Sequence, residues 1–263
     1  MLTLLKLGGS LITDKTRPFT PRLDLLDNLA SQIASALAEN ADLRLVLGHG
    51  SGSFGHQPAS QFGTRRGVAG PEAWRGFTEV WYQASALNRL VIEALRRAGL
   101  PAITLSPAAS VTAHEGKVFI WDLYPLQTAL VQRLLPVVHG DVVFDEARGG
   151  TILSTEDLFS HLARELRPDR ILLAGLEPGV WEDFPARTKL VPEITPGGFS
   201  RQVQGLGEAD GADVTGGMRT KVSEMLALVD LLPGLEVQIF SGQEPGNVKK
   251  VLLGESLGTR LHR

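Results

Sequence analysis

Three glycine-rich turns are the segments of this sequence best suited to bind an anion. The segment GHGSGSFGH (48–56) has the spacing G-x-G-x-x-G, Gly8-Gly9 follows the first apolar run, and Gly216-Gly217 opens a later helical pattern. Glycine has no side chain to block an approaching group, so backbone N–H groups in such turns can contact phosphate oxygens. The turns therefore predict a site for phosphate groups.

A dinucleotide-binding turn is the alternative interpretation of the segment 48–56. That motif needs a strand, the turn, an immediate helix and an acidic residue about 20 positions on. The strand is predicted over 43–48, but Pro58 makes an immediate helix doubtful and Glu72 falls at a helix start. A Walker P-loop does not occur in the sequence, since the Gly116-Lys117 pair is followed by valine. The local pattern favours phosphate binding by several turns and leaves a dinucleotide open.

Three lysines and a histidine stand beside these turns. Lys6 interrupts an apolar run, where a charge is unfavourable unless it is paired; a sheet-edge position with the ammonium in solvent is the alternative. Lys221 lies in the first two turns of a predicted helix, where the helix dipole disfavours a cation unless a phosphate is bound. Lys15 could equally be an ordinary loop charge. His56 ends the glycine segment, where its ring could donate a hydrogen bond to an anion.

Composition excludes several classes of function. The net charge is −3 and no Lys/Arg run occurs, so the sequence has no nucleic-acid signature. The absence of cysteine excludes disulfides, thiolate metal sites and cysteine nucleophiles. The histidines are scattered without a metal-ligand spacing, so we expect no protein-bound metal. The N-terminal run is short and interrupted by Lys6, which predicts no signal peptide or membrane span and a cytoplasmic protein.

The elements that must position these turns alternate between strands and helices. Apolar runs predict strands over 2–7, 43–48, 101–105, 119–121, 136–140, 170–175 and 235–240. Periodic apolar residues and caps predict helices over 21–39 with Thr20 as N-cap, 71–98, 154–166 and about 215–232, with a short terminal helix. Residues 142–153 are predicted as a hairpin and 183–214 as a long loop. This order predicts an α/β fold with a mostly parallel sheet, in one domain.

Five segments together resemble the amino acid kinase superfamily, and within it most closely the isopentenyl phosphate kinase family. They are KLGGS (6–10), TDK (13–15), GSGSFGH (50–56), HGDVVFD (139–145) and DVTGGMRTK (213–221). The resemblance implies a three-layer αβα sandwich with a mainly parallel sheet of about eight strands. It also implies an acceptor-binding N-terminal lobe over about 1–165, an ATP-binding lobe over about 166–263, and a homodimer.

The activity that the resemblance implies is transfer of a phosphoryl group from ATP, accompanied by Mg²⁺, to isopentenyl phosphate. The product would be isopentenyl diphosphate, a precursor for isoprenoid synthesis. An acceptor phosphate is already an anionic nucleophile, so no general base is needed. We expect no nucleic-acid or membrane partner.

The resemblance also implies a role for each matching residue. The positions that match the nucleotide site are Lys6, Gly8, Gly9, Ser10, Gly52, Gly217 and Lys221. The positions assigned to the acceptor phosphate are Ser51, Gly52, His56 and Thr155. Lys15 matches a transition-state stabiliser, and Asp141 resembles the acidic residue that orients the lysines. The catalytic set is Lys6, Lys15, His56, Asp141 and Lys221.

Two departures from the family pattern and several alternatives remain at this stage. An aspartate expected near Gly175 is missing, which bears on the nucleotide base contacts, and Ser154-Thr155-Glu156 stands where relatives often have S-G-D. Phe77 and Trp81, one helical turn apart, are candidates for an apolar acceptor wall, although core packing explains them equally. The alternatives are a kinase for a phosphonate or carboxylate acceptor, a nucleotide sensor without turnover, and a nicotinamide dehydrogenase.

Overall fold

The computed structural model describes residues 1–199 and 217–263. The described strands, numbered in chain order, are β1 Leu2–Leu7, β2 Arg44–His49, β3 Ala102–Thr104, β4 Val111–His114, β5 Lys117–Trp121, β6 Leu135–His139, β7 Asp141–Asp145, β8 Gly149–Leu153, β9 Arg170–Gly175, β10 Val180–Trp181, β11 Leu190–Val191, β12 Glu193–Ile194, β13 Glu236–Ser241 and β14 Thr259–Leu261. The described helices are α1 Gly9–Ile12, α2 Leu23–Glu39, α3 Gly52–Phe62, α4 Gly70–Arg97, α5 Pro107–Ser110, α6 Tyr124–Val131, α7 Thr155–Leu166, α8 Gly217–Leu231 and α9 Asn247–Leu252.

A central sheet of eight strands carries the fold, in the order β12-β14-β13-β9-β1-β2-β6-β3. Every neighbouring pair is parallel except β13 with β14. Strand β1 lies in the interior of this sheet, with Lys6 opposite Gly48 of β2 and Leu173 of β9. The prediction of a mainly parallel sheet of about eight strands is confirmed.

Both faces of the central sheet are covered by helices, because its interior strands are almost continuously apolar and buried. Leu4 of β1 faces a cluster that includes Phe159 of α7 and Met225 of α8. Its neighbour Leu5 faces the opposite cluster, which includes Ile33 of α2 and Leu87 of α4. Successive side chains of a strand point to opposite faces, so these runs bury two apolar layers. Each fully buried side chain of this size contributes roughly 1.5–3 kcal/mol, and the predicted αβα layering is confirmed.

A second sheet of four strands, in the order β5-β4-β7-β8, contains the predicted hairpin. Strands β7 and β8 pair antiparallel, with Asp141 opposite Leu153 and Asp145 opposite Gly149. The Asp145 carboxylate accepts hydrogen bonds from the N–H groups of Ala147 and Arg148, each at 2.9 Å, and so fixes the turn. The hairpin prediction was correct, although the turn precedes Gly149.

The helix after the glycine segment forms despite its proline. Helix α3 begins at Gly52, directly after β2 and the short turn, and contains Pro58. Proline removes the hydrogen bond to the carbonyl four residues earlier, that of Phe54. Burial of Phe54 and Ala59 and packing on α4 nevertheless support the helix. The expectation that Pro58 would prevent an immediate helix was wrong, because tertiary packing outweighed the local penalty.

Other element boundaries differ from the sequence prediction in detail. Helix α2 begins at Leu23 with Arg22 as N-cap, and Pro21 instead forms an isolated bridge with Thr13. Ser154 caps α7 in a capping box with Asp157, at the predicted start of this helix. The predicted loop 183–214 contains β11 and β12 in its described part, and its residues from 200 onward lie outside the described residues. No helix in the described part of the chain combines the length and apolar character needed to cross a membrane.

Candidate active site

One cavity lies at the carboxyl ends of β1, β2, β9 and β13, where loops of a parallel sheet commonly form binding sites. It is lined by most of the residues that the sequence singled out: Lys6, Gly8, Gly9, Ser10, Lys15, Ser51, His56, Asp141, Thr155, Gly217 and Lys221. The three lysines, which are far apart in the sequence, therefore line the same cavity.

The first two glycine turns pack backbone against backbone. A Cβ atom added to Gly9 would lie 2.4 Å from the backbone nitrogen of Gly52, and one added to Gly50 would lie 2.8 Å from that of Gly9. The Gly50 N–H donates to the Leu7 carbonyl at 3.0 Å, which ties the turns together. Only glycine permits this approach, and it brings the amides of two separate turns to one side of the cavity.

Gly52 has a different place from the one predicted. It is buried with a φ of +49°, and a Cβ atom there would collide with Thr13 Oγ1. Thr13 donates to the Gly9 carbonyl at 2.7 Å and accepts from the Ser53 N–H at 2.9 Å, so it fastens the two turns from behind. Gly52 is not among the described cavity-lining residues, and its contribution is to allow the turn rather than to contact a ligand.

Lys6 is held inside the protein by a carboxylate that the sequence analysis did not assign to the site. Its side chain is 11% exposed and forms an ion pair with Glu156, the second residue of α7. The same carboxylate oxygen, Oε1, lies 3.8 Å from Lys221 Nζ. Lys6 therefore occupies an interior strand with a buried partner, and the alternative of a solvent-exposed edge position was wrong.

The charge of Glu156 is stabilised by the two lysines. Burial raises the pKa of this carboxyl, but the charges of Lys6 and Lys221 and the hydrogen bond from Lys6 outweigh it and hold the pKa at about 2. Glu156 thus joins a residue of β1 to a residue of α8 across the cavity. An ionised carboxylate between two ammonium groups fixes their positions while leaving net positive charge for an anionic ligand.

Asp141 does not occupy the position between the lysines that the sequence analysis assigned to it. Its Oδ1 accepts a hydrogen bond from the Val142 N–H at 2.8 Å, and its Oδ2 lies 3.4 Å from His139 Nε2. The carboxylate that contacts both Lys6 and Lys221 is that of Glu156. The signal for Glu156 in the sequence was its place in the Ser154-Thr155-Glu156 departure from the family pattern.

The predicted acceptor residues surround the glycine segment. Ser51 and the half-buried His56 line the cavity from the start of α3. Thr155 is buried, and its hydroxyl donates to the His49 carbonyl at 2.6 Å. The Thr155 hydroxyl proton is thereby committed to the protein, which leaves its backbone N–H at the start of α7 as the group suited to an anion. Lys15 is exposed and lies at the rim.

An apolar wall adjoins these polar groups, but its residues are not the predicted pair. Ala59, Val80 and Ile152 line the cavity. Phe77 lies behind them in the cluster with Val80, while the side chain of Trp81 is 44% exposed. Trp81 is therefore not part of the wall, and Phe77 supports it from the core. Helical spacing indicated the right helix but could not tell which of its faces borders the cavity.

At the opposite end of the cavity, the lining residues that the structure describes are mostly apolar. Gly175, Leu176, Met218 and Ile239 line it, together with Glu177. A Cβ atom on Gly175 would meet no atom of residues 1–199 or 217–263 within 4 Å, so within these ranges the missing aspartate leaves open space there. This end has room for a flat apolar group such as a nucleotide base, whereas the lysine-rich centre suits phosphates.

A mostly parallel αβα sheet with a cationic, glycine-lined cavity at its carboxyl edge defines a protein that holds phosphate groups. The sequence profile of the amino acid kinase family matches residues 1–241, and the chain belongs to this family. Within this family, the chain is similar to isopentenyl phosphate kinases. It is 32% identical to an isopentenyl phosphate kinase of Methanocaldococcus jannaschii over 99% of this chain and 98% of that protein, and 36% identical to that of Haloferax volcanii over 98% and 97%.

Solved structures agree with this placement. A crystal structure of an isopentenyl phosphate kinase superimposes with a TM-score of 0.82 at 31% identity, covering 99% of this chain and all of the other. The chain is thus similar, over nearly its whole length, to isopentenyl phosphate kinases in both sequence and structure. Membership of a kinase family also removes the support for a nicotinamide dehydrogenase.

Proposed function

We propose that the protein transfers the γ-phosphoryl group of ATP to the phosphate of isopentenyl phosphate, forming isopentenyl diphosphate and ADP. The observation that carries this proposal is the Lys6–Glu156–Lys221 cluster, which lies between two glycine turns on one side and an apolar wall on the other. The relatives named above supply the identity of the acceptor. The apolar wall suits a short hydrocarbon tail.

Transfer between two phosphates requires alignment and charge neutralisation more than covalent chemistry. Lys6 and Lys221 would contact the ATP phosphates with the amides of Gly8, Gly9, Ser10 and Gly217. Because these donors are held in place before the substrates arrive, they stabilise the charge that spreads over the transferred group. Lys15, at the rim, would move onto this charge in the transition state.

The acceptor phosphate would be held on the other side of the transferred group. Ser51, His56 and the backbone N–H of Thr155 are suited to its oxygens, and the tail would lie against Val80 and Ile152. His56 acts as a hydrogen-bond donor, since an acceptor that is already an anion has no need of a base. Gly52 contributes by shaping the turn.

We infer that Mg²⁺ would enter this cavity as an ion carried by the nucleotide. Among residues 1–199 and 217–263, no group of three or more His, Asp or Glu side chains could hold a metal ion. Glu156 is engaged with two lysines, and Asp141 with His139 and Val142. Mg²⁺ prefers phosphate oxygens and water to an all-protein site, and when bound it neutralises part of the phosphate charge.

Three further expectations belong to the proposal; they concern the two lobes, the oligomeric state and the cellular compartment. The lobe over about 1–165 would bind the acceptor and the lobe over about 166–263 would bind ATP. The protein would act as a homodimer in the cytoplasm. Size-exclusion chromatography with light scattering distinguishes a dimer of two 28.3 kDa chains from a monomer.

A coupled assay for ADP tests the proposed activity. Isopentenyl phosphate, dimethylallyl phosphate, fosfomycin and acetylglutamate are compared as acceptors at equal concentration. We expect the highest kcat/KM with isopentenyl phosphate. Turnover only with fosfomycin or acetylglutamate would favour the phosphonate or carboxylate alternative, and tight ATP binding without ADP release would favour a nucleotide sensor.

A further inference from the structure

A second pocket adjoins the acceptor side of the cavity and is lined by three arginines. We propose that this arginine pocket, formed by Arg65, Arg66 and Arg148 with Ala59, Ser60 and Gly63, is a capture site for the phosphate group of the incoming acceptor. The inference rests on the proposed function, because it assumes that the acceptor carries a phosphate.

The arginine pocket is continuous with the active-site cavity. Arg65 and Ala59 line both. Ala59 belongs to α3, the helix that also carries His56, so the pocket adjoins the part of the cavity assigned to the acceptor. An anion held at Arg65 therefore has a short path to His56 and Ser51.

The positive charge of the arginine pocket is only partly compensated. Among the described residues, Arg65 forms one ion pair, with Asp157 at 3.4 Å; its charge also acts on the Glu224 carboxyl, and its Nη1 is buried without a hydrogen-bond partner. Within the described ranges, Arg66 and Arg148 form no ion pair. Guanidinium groups that share a pocket repel one another, and a phosphate that accepts several of their N–H bonds relieves this repulsion.

The backbone of the arginine pocket is fixed before any ligand binds. The Thr151 hydroxyl of β8 donates to the Arg65 carbonyl at 2.9 Å, and the Val68 N–H donates to the Arg148 carbonyl at 2.8 Å. These bonds fasten the short helical turn Thr64–Arg66 to the β7–β8 hairpin. The Arg148 guanidinium lies against Gly116 and forms the outer wall. A rigid support lowers the entropy lost when an anion is held.

A cationic pocket at the mouth of a cleft raises the local concentration of an anionic substrate. It should therefore act on kcat/KM for the acceptor and leave kcat unchanged, because it is not in contact with the transferred group. It should also leave the KM for ATP unchanged, since the nucleotide binds at the other end. A lower kcat/KM for the acceptor with an unchanged kcat and an unchanged KM for ATP distinguishes a loss of capture from a general loss of structure.

The kinetic test uses the double variant Arg66→Glu/Arg148→Glu, which spares Arg65 and its contact with the helix cap. Arg164→Glu, an exposed arginine on α7, is the matched control. For the double variant we expect kcat/KM for isopentenyl phosphate to fall about tenfold or more at low salt, with a weaker dependence on ionic strength than in the wild type. An unchanged kcat/KM and unchanged salt dependence would overturn the proposal.

A chemical test needs no turnover and therefore stands even if the proposed activity is wrong. Phenylglyoxal modifies exposed arginines, and mass spectrometry gives the rate at each site. Inorganic diphosphate should slow modification of Arg66 and Arg148 several-fold and leave Arg164 unaffected. Equal rates with and without diphosphate would show that the pocket binds no phosphate group and would refute the capture site whatever the acceptor.

Discussion

At the residue scale, the site depends on a small number of charges that compensate one another. Lys6 is tolerable in the protein interior because Glu156 is ionised beside it, and Glu156 remains ionised because Lys6 and the partly exposed Lys221 are there. A ligand phosphate then meets a preformed positive surface instead of flexible side chains. Reciprocal dependence of this kind makes each of the three residues sensitive to substitution.

Replacing Glu156 by glutamine tests this dependence. We expect Glu156→Gln to lower the free energy of unfolding by about 3–5 kcal/mol, the usual effect of breaking a buried ion pair, and to lower kcat. The pKa of Glu156 is about 2 in the folded protein against an ordinary 4.5, so its contribution is present above pH 4.5 and is lost as the pH falls towards 2. Denaturant unfolding at pH 7 and pH 3 measures both effects.

Glu165→Gln, on the exposed side of the same helix, is the control for this variant. The difference in stability between wild type and Glu156→Gln should shrink between pH 7 and pH 3, whereas Glu165→Gln should match the wild type at both. A constant difference would mean that Glu156 is not held ionised by the lysines.

Substitution of His56 tests whether this residue binds the acceptor phosphate. We expect His56→Ala to raise the KM for the acceptor and to lower kcat by about 100-fold, the effect of removing one preorganised donor, while the KM for ATP stays the same. Steady-state kinetics with each substrate varied in turn give the three constants. His114→Ala removes an exposed histidine away from the cavity and should leave all of them unchanged. Unaltered kinetics of His56→Ala would remove this residue from the site.

Substitution of Lys15 tests whether this residue stabilises the transition state of phosphoryl transfer. The side chain is exposed at the rim, so we expect Lys15→Ala to leave stability unchanged and to lower kcat on the order of 100-fold. Single-turnover measurements separate the chemical step from product release. A variant in which only the KM for ATP rose would show that Lys15 binds nucleotide in the ground state and has no special part in transfer.

At the element scale, helix α8 brings both a lysine and an acid to the start of α7. Lys221, one turn before Glu224, contacts Glu156. Partial desolvation of the exposed Glu224 side chain, with the charges of Asp157 and Glu156, raises the pKa of Glu224 to about 7. Arg65 and Lys6 lower it to a lesser degree. The contact of these helices therefore includes repulsion between carboxylates that protonation relieves.

This repulsion gives a pH dependence of stability. Because the folded pKa of Glu224 lies above the ordinary 4.5, the folded protein retains a proton that the unfolded chain releases, and stability falls as the pH rises from 4.5 to 7. We expect Glu224→Gln to unfold at a higher temperature than the wild type at pH 8 and at the same temperature at pH 4. Asp230→Asn, exposed on the same helix, should show no such difference.

Most elements could be predicted because their apolar patterns are local. Strand β1 buries a continuous apolar run and helix α4 a periodic set of residues, and both are visible in the sequence. Helix α3 could not be predicted in the same way, since the packing that overcomes Pro58 comes from contacts with α4 that no local pattern within α3 shows. The short strand β14 has only three residues, too few for a pattern, and it forms because β13 and β12 lie on either side.

At the scale of the whole molecule, the parallel sheet explains why residues so far apart meet. Lys6 lies near the end of β1, the glycine segment follows β2, and Glu156 follows the hairpin, so three loops converge at one edge of the protein. The glycine and lysine motifs identified this cavity from sequence. The partner of the lysines was assigned to Asp141 instead of Glu156, because spacing along the chain does not show which of two carboxylates points between two ammonium groups.

The proposed transfer requires that one cavity hold both substrates end to end across the Lys6–Glu156–Lys221 cluster. A bisubstrate analogue that joins adenosine and the isopentenyl group through four phosphates tests it by isothermal titration calorimetry. We predict one molecule bound per chain, displacement by both ATP and isopentenyl phosphate, weaker binding in both Lys221→Ala and His56→Ala, and weaker ATP binding only in Lys221→Ala. Displacement by only one of the two substrates would show that they occupy separate sites and would contradict the account.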